Sequence, residues 1–303
     1  MLQLELEECT APGHLKPARA DRTRIAYEMD WRLFERWCRE HGEQALPAST
    51  ATLRRYLVHL AAGGRKSSTI RRARISIGVI HCERGLRRPD CDEQIRLLER
   101  GIACGDNARE QGAPPLKLAD LECMMRALGS TLRDARDRAL ILLGFAGAFR
   151  SCELVALDAT DLTLTRSGMR VHVSRSSETP LCDAAVTEIQ RSANILLCPV
   201  NAIEHWLSRL ASSHGALFRT VYGTRVTNER LAPRAVSRAV QRAAARAHLE
   251  AEYSSHSLRS GLAASARAQG KSARYIQAHG RWKDSRSLGR YIDLHAANMH
   301  GRR

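Results

Sequence analysis

The chain of 303 residues contains nine cysteines but lacks the patterns by which cysteines form disulfide frameworks or metal sites. They are scattered from Cys9 to Cys198, with no Cys-x-x-Cys pair and no histidine pair at ligand spacing. We therefore expect neither a zinc site nor disulfides, and a reducing compartment.

Long apolar runs are also missing. The longest, Ala139 to Phe149, is too short to cross a bilayer. The first eight residues, Met1 to Glu8, are acidic where a secretory signal is basic. These absences predict a soluble cytoplasmic protein with no membrane partner.

Lysine is scarce, so arginine supplies most of the positive charge. The formal net charge is +16, which predicts a polyanionic partner. Arginine favours bidentate contact with phosphate. A genome rich in G and C explains arginine in place of lysine, but not the excess over acidic residues. The lysines are Lys16, Lys66, Lys117, Lys271 and Lys283.

Helical periodicity begins after residues 1–18, which contain Pro12-Gly13 and Pro17 and are expected to form a flexible leader. Apolar spacing then predicts four short helices in residues 19–106. The alternatives are a DNA-binding domain and an ordinary helical bundle with a solvated basic face. The candidate DNA contacts of this domain are Arg71, Arg72 and Arg74.

Residues 107–117, with Gly112 and Pro114-Pro115, are expected to form a linker to a second domain over residues 118–303. Apolar spacing predicts helices in the first part of this second domain. Alternating apolar residues then predict a hairpin from Leu162 to Ser174. Pro199 begins another helix. The predicted fold is mainly α with a small antiparallel β-sheet, in two domains.

Arginines recur every four residues between Arg230 and Arg246, opposite an apolar face that includes Val236 and Val240. No acidic residues alternate with them, so the like charges repel unless an anion covers them. Duplex DNA is one such anion, and a solvated surface is the alternative. The candidate contacts are Arg230, Arg234, Arg238, Arg242 and Arg246.

Several separated motifs together predict metal-free attack on a phosphodiester. Two guanidiniums, from Arg150 and Arg259, can bind the non-bridging oxygens of one phosphate. Tyr291 is the candidate nucleophile, and its hydroxyl, with an ordinary pKa near ~10, needs a partner such as His256. The motifs are Gly147-Ala-Phe-Arg150-Ser-Cys-Glu153, His256-Ser-Leu-Arg259, Gly280-Arg-Trp282 and Arg290-Tyr291.

With the stretch Cys198 to Leu207, these motifs resemble the tyrosine recombinases, also called phage-type integrases. Each motif alone is common, but their order and separations are specific. The resemblance implies a helical core-binding, SAM-like domain that forms one jaw of a clamp around the duplex. It also implies a mixed α/β catalytic domain, with the arginine helix in a groove of the target.

By this resemblance, Tyr291 attacks the scissile phosphate and leaves a 3′-phosphotyrosyl link and a free 5′-hydroxyl, with no cofactor. Arg150 and Arg259 stabilise the charge on the phosphoryl oxygens. Trp282 donates its indole N–H to the same phosphate, unless it is only a core residue. Glu153 supports Arg150. The expected assembly is a homotetramer on paired double-stranded DNA sites, and a monomer when free.

The chain departs from the family at the general acid. The family has a lysine on a hairpin turn, but Ser177 aligns with it in this sequence. Arg175 is one substitute, although a guanidinium releases its proton poorly. A relay through water or Ser177 is another. In the third explanation the chain binds and synapses DNA but cuts it slowly.

Two functions therefore stay open. The first is a site-specific recombinase of a mobile element or replicon. The second is a catalytically impaired relative that acts as an accessory or regulatory DNA-binding protein. A type IB topoisomerase shares the tyrosine chemistry, but not the stretch from Cys198 to Leu207 or the small N-terminal helical domain.

Overall fold

The computed structural model describes residues 21–106, 113–173, 185–210, 214–282 and 289. These residues fall into two compact units, with 21–106 in one and those from 113 onward in the other. The predicted leader lies outside the described residues. The domain borders predicted above stay predictions.

The first unit consists of four helices around one apolar core, as predicted. Ser49 caps α2 by accepting a hydrogen bond from the Thr52 amide. Residues at helical spacing, such as Phe34, Leu53 and Ile77, are fully buried because they share the inner face of each helix. The helices are α1 (Asp21–Glu40), α2 (Thr50–Ala62), α3 (Ser67–Glu83) and α4 (Glu93–Asp106).

The second unit is mainly helical, with two small antiparallel sheets. The helices are α5 (Leu118–Ala127), α6 (Leu132–Ala146), α7 (Ser151–Ala156), α8 (Pro199–Leu207), α9 (Pro233–Arg246), α10 (Ser255–Ala268) and α11 (Ala273–Gly280). The strands are β1 (Leu162–Leu164), β2 (Gly168–Val173) and β3 (Ala185–Gln190) in one sheet, and β4 (Arg219–Tyr222) and β5 (Arg225–Arg230) in the other. The predicted fold class is confirmed.

Helix α6 lies at the centre of the second unit and packs against α8, α9 and α10. Its side chains are buried on nearly every side; Leu140, Ile141 and Leu143 are fully buried. The second half of this helix, from Ala139, is apolar on all sides, as expected of a segment in a core. The turn after this helix leads directly to Arg150, so the core fixes where Arg150 lies.

The predicted hairpin is confirmed, with Leu164 opposite Met169. Two strands were not predicted. Strand β3 pairs along the whole of β2 and buries only Thr187 and Ile189, and β5 is largely polar. Such strands carry a weak apolar pattern, because pairing with a neighbour rather than burial holds them.

The second unit begins with a segment attached to α10. The Leu116 amide donates a hydrogen bond to the Ser257 carbonyl over 2.9 Å, and Leu116 is 1% exposed. A Cβ atom on Gly261 would lie 2.4 Å from the Leu116 carbonyl oxygen, so glycine permits this close approach. The segment therefore packs against the turn of α10 that contains Arg259.

Within the described ranges, no helix combines the length and apolar character that a membrane span requires. That part of the chain also contains no cluster of three or more histidine, cysteine, aspartate or glutamate side chains suited to a metal ion.

Candidate active site

Glu153 holds Arg150 at the beginning of α7. The Arg150 amide donates to Glu153 Oε2 over 2.9 Å, and Arg150 Nη1 donates to Oε1 over 2.5 Å. Arg150 thus occupies the N-cap position, and Glu153 binds both its main chain and its side chain. The Arg150 side chain is 31% exposed, against 7% for Glu153. One face of this guanidinium therefore remains available to a ligand.

Glu153 is buried between two guanidiniums. Burial alone raises its pKa, but the charge of Arg281 and the hydrogen bonds and charge of Arg150 outweigh burial, and the pKa lies below its ordinary value. The carboxylate therefore stays ionised at neutral pH and keeps its hold on Arg150.

Arg259, from α10, reaches the same place from a distant part of the sequence. It is 3% exposed, and its Nη1 donates a hydrogen bond to the Ala148 carbonyl oxygen, two residues before Arg150. Ala148 has a φ of 47°, which is uncommon for a residue with a side chain. The tight turn between α6 and α7 thus presents its carbonyl to Arg259 and brings the two arginines together.

Trp282 covers the Arg259 guanidinium. The Arg259 Cζ atom lies 4.0 Å from the centre of the Trp282 ring, within the range of a cation–π interaction. The ring is 8% exposed and packs with Ala148, Ala263 and Ile276. Trp282 is therefore a core residue and a neighbour of the site at once, so the two alternatives from the sequence are compatible.

His256 lies in the first turn of α10, which begins after Ser254, and is partly exposed and partly covered by the protein. Desolvation of the ring lowers its pKa, and the positive charges of Arg259 and Arg150 lower it further. A neutral imidazole is thus favoured at neutral pH, and neutral imidazole can accept a proton.

The structure therefore brings together Arg150, Arg259, Trp282 and His256, with Glu153 behind Arg150. Tyr291, Ser177 and Arg175 lie outside the described residues.

Sequence reasoning missed Arg281, which also belongs to this site. Its Nη2 donates to Glu153 Oε2 over 3.1 Å, and its carbonyl oxygen accepts from Arg150 Nη2 over 3.4 Å. It stands inside the motif Gly280-Arg-Trp282, but nothing in the sequence distinguishes it from the many other arginines.

The predicted arginine stripe divides into two parts, and the premise that carboxylates do not balance it is wrong for three of its members. Arg230 ends β5 rather than lying on α9, and pairs with Asp158 at 2.5 Å. The remaining partners come from α6: Arg242 pairs with Asp137 and Arg246 with Asp134.

Arg234 and Arg238 differ from the rest of the stripe. Both lie on α9 with exposed side chains, and no ion pair to either is found within the part of the chain that the structure describes.

The basic residues of α3 are likewise paired within the first unit. Arg72 forms a bidentate pair with Asp30 at 2.8 and 3.0 Å, and this hydrogen bonding raises its pKa. Arg71 and Arg74 both contact Glu99. Arg71 and Arg72 nevertheless remain exposed, so both side chains stay accessible.

Models of known protein families match both units. The model of the phage integrase family matches residues 116–298, and that of the phage integrase N-terminal SAM-like domain matches residues 14–81. The chain is 32% identical over 291 residues to an integrase/recombinase XerD homolog of Selenomonas ruminantium, covering 93% of this chain and 84% of the relative.

Two solved structures have a similar fold. The first is the Tn1549 transposon integrase in complex with transposon right end DNA, with a TM-score of 0.63 and 14% identity, over 95% of this chain and 94% of that one. The second is a lambda integrase dimer bound to a COC′ core site, with a TM-score of 0.62 and 17% identity, over 95% and 92%.

Proposed function

The chain belongs to the phage integrase family and is a site-specific DNA recombinase of the tyrosine type, and we propose which of its residues cut and rejoin the strands. The observation that supports the assignment is the meeting of Arg150 and Arg259, which come from separate motifs. Two guanidiniums at one place, one of them partly exposed, suit a single phosphodiester.

In the first step, the Tyr291 hydroxyl oxygen attacks the scissile phosphorus. The bond from phosphorus to the 5′-oxygen breaks, and its electron pair leaves with that oxygen, which takes up a proton. His256, whose imidazole is uncharged at neutral pH, accepts the proton of the tyrosine hydroxyl. The products are a 3′-phosphotyrosyl link and a free 5′-hydroxyl.

Arg150 and Arg259 stabilise the charge that develops on the non-bridging oxygens, and Trp282 donates its indole N–H to one of them. These groups are held in place before the substrate arrives, because Glu153 binds Arg150 and Trp282 packs on Arg259. The 5′-hydroxyl of a partner strand then attacks the phosphotyrosyl link and reverses the step. The link retains the bond energy, so no cofactor is consumed.

The proton for the leaving 5′-oxygen comes through Ser177 or Arg175 in this proposal, in place of the family's lysine. General acid catalysis contributes about 10²- to 10⁴-fold, so a weaker proton donor slows cleavage but does not abolish it. No observation on the described residues favours the accessory DNA-binding protein.

The DNA partner is double-stranded. Exposed Arg234 and Arg238 on α9 support this, as do Arg71 and Arg72 on α3. Of the two solved structures named above, the transposon integrase is in complex with transposon right end DNA, and the lambda integrase is bound to a core site. We place the chain in the cytoplasm, as a monomer when free and as a homotetramer on paired sites.

A nicked half-site tests the nucleophile. The wild type should form a covalent adduct with DNA that a protease removes, and Tyr291→Phe should form none. Tyr222→Phe serves as the matched control, because Tyr222 is 66% exposed at the end of β4 and has no role in the site. An adduct of wild-type yield with Tyr291→Phe would refute the assignment.

Sedimentation tests the assembly. The free protein should sediment as a monomer, and should form dimers and tetramers on paired sites. A stable tetramer without DNA would contradict the proposed assembly.

A further inference from the structure

We propose that Arg281 is a positioning residue for strand cleavage, which fixes Glu153 and through it directs Arg150 at the phosphate. The proposal rests on the function proposed above, since it concerns how Arg150 is held for that reaction. Its contacts, its backbone conformation and its buried donor each support it.

The first support is the set of contacts around Glu153. Glu153 Oε2 accepts from the Arg150 amide over 2.9 Å and from Arg281 Nη2 over 3.1 Å. Glu153 Oε1 accepts from Arg150 Nη1 over 2.5 Å. One buried carboxylate is therefore shared by two guanidiniums. Without Arg281, Glu153 would lose one of the groups that set its orientation. The orientation of Arg150, which Glu153 holds, would then be less well fixed.

Arg281 also contacts Arg150 through its main chain. Its carbonyl oxygen accepts a hydrogen bond from Arg150 Nη2 over 3.4 Å. Both terminal nitrogens of the Arg150 guanidinium are thus held, Nη1 by Glu153 and Nη2 by the Arg281 carbonyl. A guanidinium that is held in place before the substrate binds needs little reorganisation during the reaction.

The Arg281 side chain joins three parts of the second unit at this point. Its Nη1 donates to the Thr187 hydroxyl on β3 over 2.7 Å, and its Nη2 donates to the Gly147 carbonyl over 3.2 Å. Its Cζ atom lies 4.6 Å from the centre of the Phe149 ring. The planar fork therefore binds the strand β3, the turn before Arg150 and the carboxylate of Glu153 together.

The backbone of Arg281 adopts a conformation that favours glycine. Its φ and ψ are 56° and 45°, in the left-handed region, at the end of α11. A side chain in this region is unfavourable, and a glycine at that position would avoid the cost. This turn sends the next residue, Trp282, back over Arg259. An arginine in place of the favoured glycine indicates that its side chain has a use.

The Nε atom of Arg281 is buried and has no hydrogen-bond partner among the described residues. A buried donor without a partner destabilises the folded protein. The left-handed backbone and this donor both disfavour an arginine at this position, and the proposed hold on Glu153 accounts for its presence.

The experiment compares cleavage and binding of a nicked half-site by Arg281→Gln and Arg281→Gly. The glutamine variant loses the charge and keeps the backbone strain, and the glycine variant loses both. We expect both variants to bind the half-site with wild-type affinity. We expect the single-turnover cleavage rate at saturating DNA to fall on the order of 10²-fold, since small misplacements of a catalytic group cost that much.

Arg138→Gln is the matched control. Arg138 is also an arginine whose guanidinium binds carbonyl oxygens, those of Met125 and Leu128, each over 2.8 Å. Its replacement should lower the melting temperature and leave the cleavage rate of the folded fraction unchanged. Arg281→Lys keeps the charge without the fork and should recover part of the rate.

A double-mutant cycle tests the route through Glu153. Glu153→Gln should slow cleavage by itself, and Arg281→Gln should add little in that background, because interacting residues are not additive. Independent, additive effects on the rate would overturn the positioning role.

Two further outcomes separate this proposal from the proposed function. If the wild type forms no phosphotyrosyl adduct, the function fails. If the wild type cleaves and Arg281→Gln cleaves equally fast, the function stands and the role of Arg281 is refuted. Should the Arg281 variants not fold, Thr187→Val removes one partner of the fork, and an unchanged rate in that variant refutes the proposal.

Discussion

The guanidinium of Arg259 lies against the face of Trp282, with 4.0 Å between Arg259 Cζ and the ring centre. Both residues are buried, so the aromatic ring replaces water on one side of the Arg259 guanidinium. This contact packs Trp282 into the core and, at the same time, against one of the two arginines proposed to bind the phosphate.

Replacing Trp282 separates these two roles. Trp282→Phe keeps an aromatic ring but lacks the indole N–H, and loss of one donor to the developing charge costs about 10²- to 10³-fold in rate. Trp282→His keeps a donor and should cleave faster than Trp282→Phe, although its smaller ring packs less well. Single-turnover cleavage with urea unfolding measures both effects. Equal rates in the wild type and Trp282→Phe would leave Trp282 a core residue only.

Gly280 permits the position of Trp282. A Cβ atom at Gly280 would lie 1.7 Å from the Trp282 ring, so Gly280→Ala must displace the ring. Overpacking of this kind costs about 1–3 kcal/mol, and we expect a slower cleavage rate as well. The control is Gly101→Ala in α4, where nothing lies within 4 Å of the added atom. Wild-type rate and stability in Gly280→Ala would contradict the packing.

The two parts of the arginine stripe should respond differently to salt. Arg234→Ala with Arg238→Ala should flatten the slope of log affinity against log salt by about 0.9 for each phosphate that the variant no longer neutralises. Arg242→Ala with Arg246→Ala should mainly lower stability, because buried Asp137 and Asp134 would each be left without a cationic partner from α9. Equal slopes in the wild type and the first double variant would favour a solvated surface.

The lowered pKa of His256 predicts a pH dependence of stability. The unfolded chain, with the ordinary pKa near 6.5, binds the proton before the folded protein does, so the wild type loses stability as pH falls below about 6.5. His256→Gln lacks this titration, so its stability relative to the wild type should rise between about pH 7 and pH 5. Urea unfolding at several pH values measures the difference, and a constant difference would contradict a lowered pKa of His256 in the folded protein.

A substrate with sulfur in place of the 5′-oxygen tests the missing lysine. Sulfur leaves without a proton, so the wild type should cleave this substrate faster than the normal one. Ser177→Lys should speed the normal substrate by up to about 10²- to 10⁴-fold and scarcely change the sulfur one.

Equal wild-type rates on both substrates would show that another group supplies the proton, and Arg175→Ala would test that residue. If neither substrate reacts while binding stays tight, the chain is an accessory DNA-binding protein.

The sequence by itself determined the helices, the order of the motifs and the family. Helix faces depend on residues three and four apart, so apolar spacing predicted the four helices of residues 19–106, and the structure confirms these helices and buries Phe34, Leu53 and Ile77 between them. The hairpin of β1 and β2 was also predictable, because the alternation of apolar residues that indicates it lies within a short stretch of sequence. The motif residues Arg150 and Arg259 could be named because their order is typical of one family.

Only the tertiary structure decided which charges are paired. Arg242 and Asp137 are 105 positions apart, and Arg150 contacts the carbonyl of Arg281 from 131 positions away. No local pattern connects such residues, because the packing of α6, α9 and the turn after α11 brings them together. Electrostatic pairing depends on distance in space, and that distance exists only once the core has formed.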